Sequence, residues 1–364
     1  MTENQGYMWM EYAVSLAEKG RYSCSPNPMV GAVIISDGKI VGEGYHKKAG
    51  EPHAEINAIA DANGQTEDST LTVTLEPCST HGRTPPCTEA IIKAGIKKVI
   101  IGAIDPNPAH AGKAVDILKG AGVEVEVLND PECESINEKF NTFITTSLPF
   151  VHAKWAMTLD GKIATRTGSS KWISCDESRR FVHKLRAEYD AIMTGSGTVL
   201  KDDPQLNVRL EGEWRQPVKI IIDSLCRTPA NAKILKGGSE TIIVCGKNAS
   251  EEKIQLLEKA GARIIQVTTD INGKIILPEL FKKLAAENIS SVFVEGGSSL
   301  LGALFDYHLI NKVSVFIAPK IIGGKNSLSP IGGTGIEKIA DAVKLDSLHT
   351  EQIGCDIMLT GKIT

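Results

Sequence analysis

Two hydrophobic periods alternate along the first part of the chain. Apolar residues at helical spacing predict a helix over about 7–19. Apolar runs over 29–35 and 40–45 flank Asp37 and Gly38, a dipeptide that suits a tight hairpin turn, and so predict two paired strands. Later segments predict strands over 71–75, 98–103 and 123–128, and helices after His53, after Cys87, near 115–119 and around 131–142. This mixture predicts a compact three-layer α/β domain.

The pattern restarts near Phe150. Apolar segments predict strands over 151–157, 189–193, 218–222, 241–245, 263–267, 291–294 and 312–318, with helices between them. Such alternation predicts a largely parallel sheet covered on both faces, with ligands at the carboxyl ends of its strands. The polar stretch over 145–149 is a plausible linker, so we expect two domains, 1–146 and 147–364.

Length and charge agree with two cores. The chain has 364 residues, which exceeds a typical single domain. Residues 1–147 hold 12 Lys and Arg against 20 Asp and Glu, a net charge of -8, and the remainder is +4. This acidic first part has no basic stripe, so we expect no nucleic acid as a partner. The positive remainder suits small phosphorylated ligands, and an ordinary protein surface explains it equally well.

The sequence also suggests a location. The first residues lack a basic region followed by an apolar stretch, and no apolar run reaches the length of a membrane span. We therefore expect a cytoplasmic protein without a membrane partner. Eight irregularly spaced cysteines then indicate reduced thiols. Six of them are interpreted as core or incidental residues: Cys24, Cys133, Cys175, Cys226, Cys245 and Cys355.

One set of residues points to specific chemistry. His53, Cys78 and Cys87 are zinc-type ligands, and a catalytic zinc takes three protein ligands and leaves its fourth position to water. Zinc lowers the pKa of that water towards neutrality. Glu55 follows His53 as a spare carboxylate that can move protons, an arrangement found in zinc deaminases. The motif predicts one zinc per chain and hydrolytic deamination of a nucleobase-like ring.

The neighbouring residues support this geometry. Pro52 suits the first turn of the helix after His53, and Thr84 to Cys87 suit the cap and first turn of the next helix. Two alternatives remain: incidental buried cysteines, or a closed structural zinc with His81 as its fourth ligand. The gap between Cys78 and Cys87 exceeds the Pro-Cys-x-x-Cys spacing of cytosine and adenine deaminases, so we expect a different substrate.

Two glycine-rich turns follow predicted strands in the second part. Residues 295–300 and 195–198 open helices, where free backbone N–H groups can hold a pyrophosphate. The second turn lacks the third glycine of the dinucleotide fingerprint, so a Rossmann domain is not supported. Tight turns without any ligand are the alternative for each. Two such turns in one α/β domain favour nucleotide binding.

Longer stretches resemble a known family along nearly the whole chain. PCSTHGRTPPC, MTLDGKIA, GSSKWIS, GTVLKDDPQL and VEGGSSLLGAL resemble the bifunctional riboflavin-biosynthesis family, in which a diaminohydroxyphosphoribosylaminopyrimidine deaminase is fused to a 5-amino-6-(5-phosphoribosylamino)uracil reductase. The resemblance implies an α/β fold with an N-terminal cytidine-deaminase-like three-layer domain and a C-terminal dihydrofolate-reductase-like domain. It also implies a phosphorylated pyrimidine as the small-molecule substrate and a homo-oligomer.

The resemblance further implies two reactions and their cofactors. Zinc serves hydrolytic deamination of 2,5-diamino-6-(5-phosphoribosylamino)pyrimidin-4-one, and NADPH then reduces the ribosyl group to ribityl. Metal binding is implied for His53, Cys78 and Cys87, and catalysis for Glu55. Substrate contacts are implied for Ser170, Arg186, Leu206, Arg209 and Glu295. NADPH contacts are implied for Ala156, Trp172, Thr198, Asp202, Ser224, Gly297, Ser298, Ser299, Leu300, Leu301, Gly302 and Ala303.

Elementary chemistry agrees with several of these positions. Arg186 and Arg209 can hold a phosphate by forked hydrogen bonds, and Trp172 offers a ring to the cofactor. The roles of Lys154 and His81 stay open. Two other hypotheses also stay open: a zinc deaminase whose second domain binds a nucleotide only as a regulator, and a structural protein with a closed zinc site. A structural site has no use for Glu55 beside it.

Overall fold

The computed structural model describes residues 3–81 and 85–364, with side chains from Gly6 onward. The chain separates into two compact units that meet between Leu148 and Pro149, two residues after the expected boundary. The predicted cap residue Thr84 lies outside the described residues. Within those residues, no helix combines the length and the apolar character that a membrane span requires.

The first unit contains one five-stranded sheet and six helices among its described residues. The strands are β1 (Gly31–Ser36), β2 (Lys39–Tyr45), β3 (Thr70–Leu75), β4 (Lys98–Ala103) and β5 (Glu124–Val127). The helices are α1 (Glu3–Ala17), α2 (Ala54–Asp61), α3 (Cys87–Lys93), α4 (Lys113–Gly120), α5 (Pro131–Ser135) and α6 (Glu138–Thr146). The sheet order is β2-β1-β3-β4-β5, with β1 antiparallel to both neighbours and β3, β4 and β5 parallel.

The predicted hairpin between β1 and β2 is confirmed. Asp37 and Gly38 both have positive φ, 49° and 73°, which matches the twist of a tight two-residue hairpin turn. Alternate residues of β1 enter two different cores, since Ala32 packs on the side of α2 and Val33 on the side of α1. Helices therefore cover both faces of the sheet, and the predicted three-layer arrangement is confirmed.

The second unit contains one nine-stranded sheet. Its strands are β6 (Phe150–Thr158), β7 (Ala191–Gly195), β8 (Val218–Ile222), β9 (Thr241–Gly246), β10 (Ala262–Val267), β11 (Ser291–Val294), β12 (Lys312–Ala318), β13 (Leu345–Ile353) and β14 (Asp356–Ile363). Its helices are α7 (Asp176–Ala187), α8 (Ser196–Asp202), α9 (Glu251–Lys259), α10 (Leu277–Ala286) and α11 (Ser298–Asp306). The strand order is β10-β9-β8-β7-β11-β6-β12-β14-β13.

The first seven strands in that order, β10 to β12, are parallel as predicted. The antiparallel hairpin of β13 and β14 was not predicted. Most of β13 is exposed, so it lacks the apolar alternation that marks a half-buried strand.

Chain order and strand order differ at the centre of this sheet. Strand β11 lies between β7 and β6, so Val294 pairs with Met193 on one side and with Ala153 on the other. The segments that follow β7 and β11 therefore leave the sheet side by side, beginning at Ser196 and Glu295. This is the carboxyl edge where ligands of parallel sheets bind.

Candidate functional site

The three predicted metal ligands converge in the first unit. His53 Nδ1 lies 3.5 Å from Cys78 Sγ and 3.3 Å from Cys87 Sγ. The candidate ligand atoms of all three residues lie within 4.8 Å of one another. Two sulfurs and one imidazole nitrogen at this spacing fit a tetrahedral zinc with one position left over.

Local structure presents each ligand to this point. His53 is the extended N-cap residue of α2, and Cys87 is the first residue of α3 after the N-cap Pro86. The backbone N–H of Cys87 donates to Cys78 Sγ at 3.2 Å. The hydrogen bond from the Cys87 thiol lowers the pKa of Cys78 to about 4, and the same bond raises the pKa of Cys87. Cys78 is therefore the thiol prepared to bind a cation.

Glu55 lies in the first turn of α2 and is 3% exposed. Burial raises the pKa of its carboxyl group, and a hydrogen bond that the carboxylate accepts from the Cys87 side chain opposes this with a smaller effect. A buried carboxyl group therefore lies beside the ligand set. His81 is an exposed residue 3.6 Å from Glu89, and it does not join the described ligand cluster. This arrangement gives no support to a closed site with His81 as the fourth ligand.

Two buried residues near the ligands were missed by sequence reasoning. The ring of His46 meets the ring of His53 edge to face, with centroids 5.4 Å apart. Glu76 accepts three backbone hydrogen bonds, from Asp105, Gly112 and Ala114, and so fixes the start of α4 next to the Cys78 loop. The position of Glu76 immediately before Pro77 and Cys78 was visible in the sequence, but nothing there identified its partners.

The two glycine-rich turns of the second unit border one cavity of about 390 Å³. The turn that opens α8 and the turn that opens α11 are adjacent because β7 and β11 are neighbours. The cavity brings together seven of the predicted ligand contacts: Ser170, Thr198, Asp202, Gly297, Ser298, Ser299 and Leu300. Helix N-termini and backbone N–H groups at such a place suit a pyrophosphate.

Other predicted cofactor positions do not line this cavity. Leu301 is fully buried, and a side chain on Gly302 would overlap the backbone of Gly332 and Gly333. Leu301 and Gly302 therefore pack α11 in place. The remaining four positions are dispersed. Ala303 is half-buried in α11, and Ala156 packs against the core. Trp172 is 64% exposed with the Arg179 guanidinium over its ring, and the Ser224 carbonyl accepts a hydrogen bond from the Gly246 N–H.

A buried charge cluster lies at the same edge of the sheet. Arg186 contacts both carboxylate oxygens of Glu295, with Nε–Oε1 at 2.5 Å and Nη2–Oε2 at 3.1 Å. Lys154 Nζ lies 3.7 Å from Glu295 Oε2. Burial alone raises the pKa of Glu295, but the charges of Arg186 and Lys154 lower it to about 2. The Nε and Nη2 groups of Arg186 are therefore both directed to Glu295.

Arg209 is arranged differently. Its side chain is exposed, and Nη1 donates to Asn207 Oδ1 at 2.7 Å and to Gln205 Oε1 at 3.3 Å. The Arg209 N–H donates to His183 Nδ1 at 3.2 Å, so His183 helps to fix this loop. Leu206, a predicted substrate contact, is buried with a φ of 48° and helps to set the same loop.

Comparison with known proteins identifies the family. The model of the cytidine and deoxycytidylate deaminase zinc-binding region matches residues 3–103, and the RibD C-terminal domain model matches residues 149–359. The riboflavin biosynthesis protein RibD of Aquifex aeolicus is 45% identical over 352 residues, which cover 96% of each chain. The chain belongs to the RibD family.

Solved RibD structures share the architecture over the full chain. Form 1 of Acinetobacter baumannii RibD has a TM-score of 0.87 and 37% identity, with 99% of both chains covered. The Thermotoga maritima diaminohydroxyphosphoribosylaminopyrimidine deaminase/5-amino-6-(5-phosphoribosylamino)uracil reductase has a TM-score of 0.86 and 35% identity, again with 99% of both covered. The predicted family, the fold class and the combination of deaminase with reductase in riboflavin biosynthesis are confirmed. The RibD cofactors are zinc for the deaminase domain and NADPH for the reductase domain.

Proposed function

We propose that residues 1–146 deaminate 2,5-diamino-6-(5-phosphoribosylamino)pyrimidin-4-one and that residues 147–364 then reduce its ribosyl group to ribityl. The observation that carries the first step is the convergence of His53, Cys78 and Cys87 beside buried Glu55. The second step is supported by the cavity between the two glycine-rich turns and the charge cluster at the same sheet edge.

In the deamination, Glu55 is the proton carrier. Zinc, when bound by His53, Cys78 and Cys87, lowers the pKa of a water molecule. Glu55 accepts the proton that this water loses and delivers protons to the ring nitrogen and to the departing amino group, so that ammonia leaves and oxygen replaces nitrogen. Burial raises the pKa of Glu55 above its usual range, which helps its carboxyl group to donate a proton as well as to accept one.

In the reduction, the protein mainly positions its ligands. NADPH, when bound, supplies the hydride for the anomeric carbon of the ring-opened ribosylamino group. We assign its pyrophosphate to the backbone of Gly297, Ser298 and Ser299 at the start of α11, with Thr198 across the cavity. The other family positions, including Ala156, Trp172 and Ser224, stay proposed NADPH contacts.

The substrate phosphate is assigned mainly to Arg209. Its guanidinium is exposed, and among the described residues its hydrogen bonds go to the side chains of Gln205 and Asn207, which a phosphate can displace. Arg186 contributes positive charge nearby, while its fork orders Glu295. Ser170 lines the cavity from the opposite loop, where it suits a contact to the sugar.

We also propose a homo-oligomer in the cytoplasm. The exposed residues Ile331, Ile336 and Val343 line one apolar cleft, and a contiguous exposed apolar surface is typical of protein interfaces. Seven cysteines form no disulfide bond, as expected in a reducing compartment: Cys78, Cys87, Cys133, Cys175, Cys226, Cys245 and Cys355. Sedimentation measurements on the full chain test the homo-oligomer. A protein that sediments as a monomer at all concentrations contradicts it.

One experiment tests the two-step function. The diaminopyrimidine ribotide is incubated with the protein, with and without NADPH, and the products are identified by mass spectrometry. Without NADPH, we expect only the replacement of an amino group by oxygen. With NADPH, we expect a further gain of two hydrogens. A product that stops at deamination in both reactions contradicts the reductase assignment and favours a second domain that binds a nucleotide only as a regulator.

A further inference from the structure

A second group of metal-type ligands lies in the second unit, away from the cavity described above. Cys175 Sγ, Cys355 Sγ and a carboxylate oxygen of Asp356 lie within 4.8 Å of one another. The ligand atoms of His53, Cys78 and Cys87 lie within the same 4.8 Å limit. Both cysteines were expected to be core or incidental residues, and 181 positions separate Cys175 from Asp356 along the chain.

The carboxylate of Asp356 is the most unusual member of this group. It is fully buried, and Oδ2 accepts hydrogen bonds from the Cys175 N–H at 2.8 Å and the Ser178 hydroxyl at 2.6 Å. Oδ1 accepts a hydrogen bond from the Cys355 thiol at 3.7 Å. No ion pair to Asp356 occurs among the residues that the structure describes. A buried anion normally pairs with a cation, so a bound metal ion would complete this environment.

Local backbone features bring these side chains together. Cys175 is the N-cap residue of α7, so its backbone N–H and its sulfur lie at the start of a helix of 12 residues. Gly354 lies opposite, and a side chain there would stand 2.8 Å from Glu177 Oε2 and 2.9 Å from Cys175 Sγ. The absence of a side chain at Gly354 therefore lets Glu177 and Cys175 lie close to the turn between β13 and β14.

We propose that Cys175, Cys355 and Asp356 bind a thiophilic divalent cation, with zinc as the preferred ion and Glu177 or water as the fourth ligand. Each thiol releases its proton to solvent as its sulfur binds, and no oxidation takes place. Two thiolates and a carboxylate exceed the charge of the cation, so the complex stays anionic, as the start of α7 favours. The ion would join the start of α7 to the turn between β13 and β14.

Two conservative variants separate this site from the deaminase zinc. Ser is a favoured N-cap residue, so Cys175→Ser keeps the start of α7 while removing one sulfur ligand. Cys355→Ser changes an exposed residue. Asp346→Asn is the matched control, because Asp346 is an exposed residue of the same hairpin. The reduced full-length proteins are equilibrated with zinc, desalted and analysed for metal content.

We expect wild type and Asp346→Asn to hold one more zinc per chain than either cysteine variant. Cadmium added to wild type should produce an ultraviolet thiolate-to-metal band that both cysteine variants lose in part. Ammonia release should be equal in all four proteins. Equal zinc in all four contradicts the proposal, as does a loss in Cys355→Ser alone, which indicates adventitious binding to one exposed thiol. The proposal is also contradicted if wild type contains a Cys175–Cys355 disulfide and the reduced protein takes up no zinc.

Discussion

Arg186 and Glu295 form a largely buried two-point ion pair across 109 positions of sequence, with side chains 11% and 12% exposed. Removing one partner of such a pair leaves an uncompensated buried charge, which destabilises a protein by about 3–5 kcal/mol. We therefore expect Glu295→Gln to lower the free energy of unfolding by about this amount, measured by denaturant titration. Glu287→Gln is the control, because it breaks an exposed pair with Arg263 and should cost about 1 kcal/mol or less. If Glu295→Gln and Glu287→Gln lower the free energy of unfolding equally, burial does not determine the strength of the Arg186–Glu295 pair.

The cofactor zinc is tested at Cys78. We expect Cys78→Ser to lose one zinc per chain relative to wild type, because the variant removes one of the three converging ligands. Cys24→Ser changes another buried cysteine of the same unit that lies outside the cluster, and it should keep the wild-type content. Elemental analysis measures both. Full metal content in Cys78→Ser rules out the assigned ligand set.

Glu55→Gln separates the two activities. The amide keeps the shape of the side chain but does not carry protons, so we expect ammonia release to fall by roughly 10²- to 10⁴-fold with zinc retained. NADPH oxidation with the deaminated ribotide should be normal. Glu51→Gln, at an exposed acid near the same helix, should leave both rates unchanged. Undiminished ammonia release from Glu55→Gln would falsify its proton-carrying role.

Arg209→Lys tests the substrate phosphate. Lysine keeps the charge but loses the fork, so we expect the apparent KM for the deaminated ribotide to rise by about tenfold or more, with the KM for NADPH unchanged. Steady-state NADPH oxidation gives both constants. Arg263→Lys is a control at an exposed arginine away from the cavity. A higher KM for NADPH with a normal substrate KM would make Arg209 a cofactor residue.

His183 predicts a pH effect on stability. Burial, together with the charges of Arg186 and Arg209, lowers its pKa from 6.5 to about 4. The unfolded chain therefore binds this proton more readily, so the stabilisation is complete above pH 6.5 and is lost as the pH falls towards 4.

We expect His183→Asn to reduce the loss of unfolding free energy between pH 6.5 and pH 4. His349→Asn, at an exposed histidine, should leave the wild-type pH profile unchanged. Denaturant titrations across this range provide the measurement. Parallel profiles for His183→Asn and wild type count against a neutral buried imidazole.

The sequence predicted those features that depend on neighbouring residues. His53 and Cys87 were recognisable because each lies at a helix start with its own local signal, and the structure brings them together. The partners of Arg186 and Asp356 were not recognisable, because they lie more than 100 positions away and only the sheet order brings them close. Exposed β13 was missed because it carries no buried alternation.

The place of β11 has a consequence for biosynthesis of the chain. Strands β6 and β7 are both made early, yet neither pairs with the other, and their shared neighbour ends only at Val294. A nascent chain that has been synthesised only as far as residue 290 thus lacks β11, the strand that pairs β7 with β6. The residues of the first unit are all present once Leu148 has been added. We infer that the two halves of this enzyme mature at different times on the ribosome, the deaminase half first.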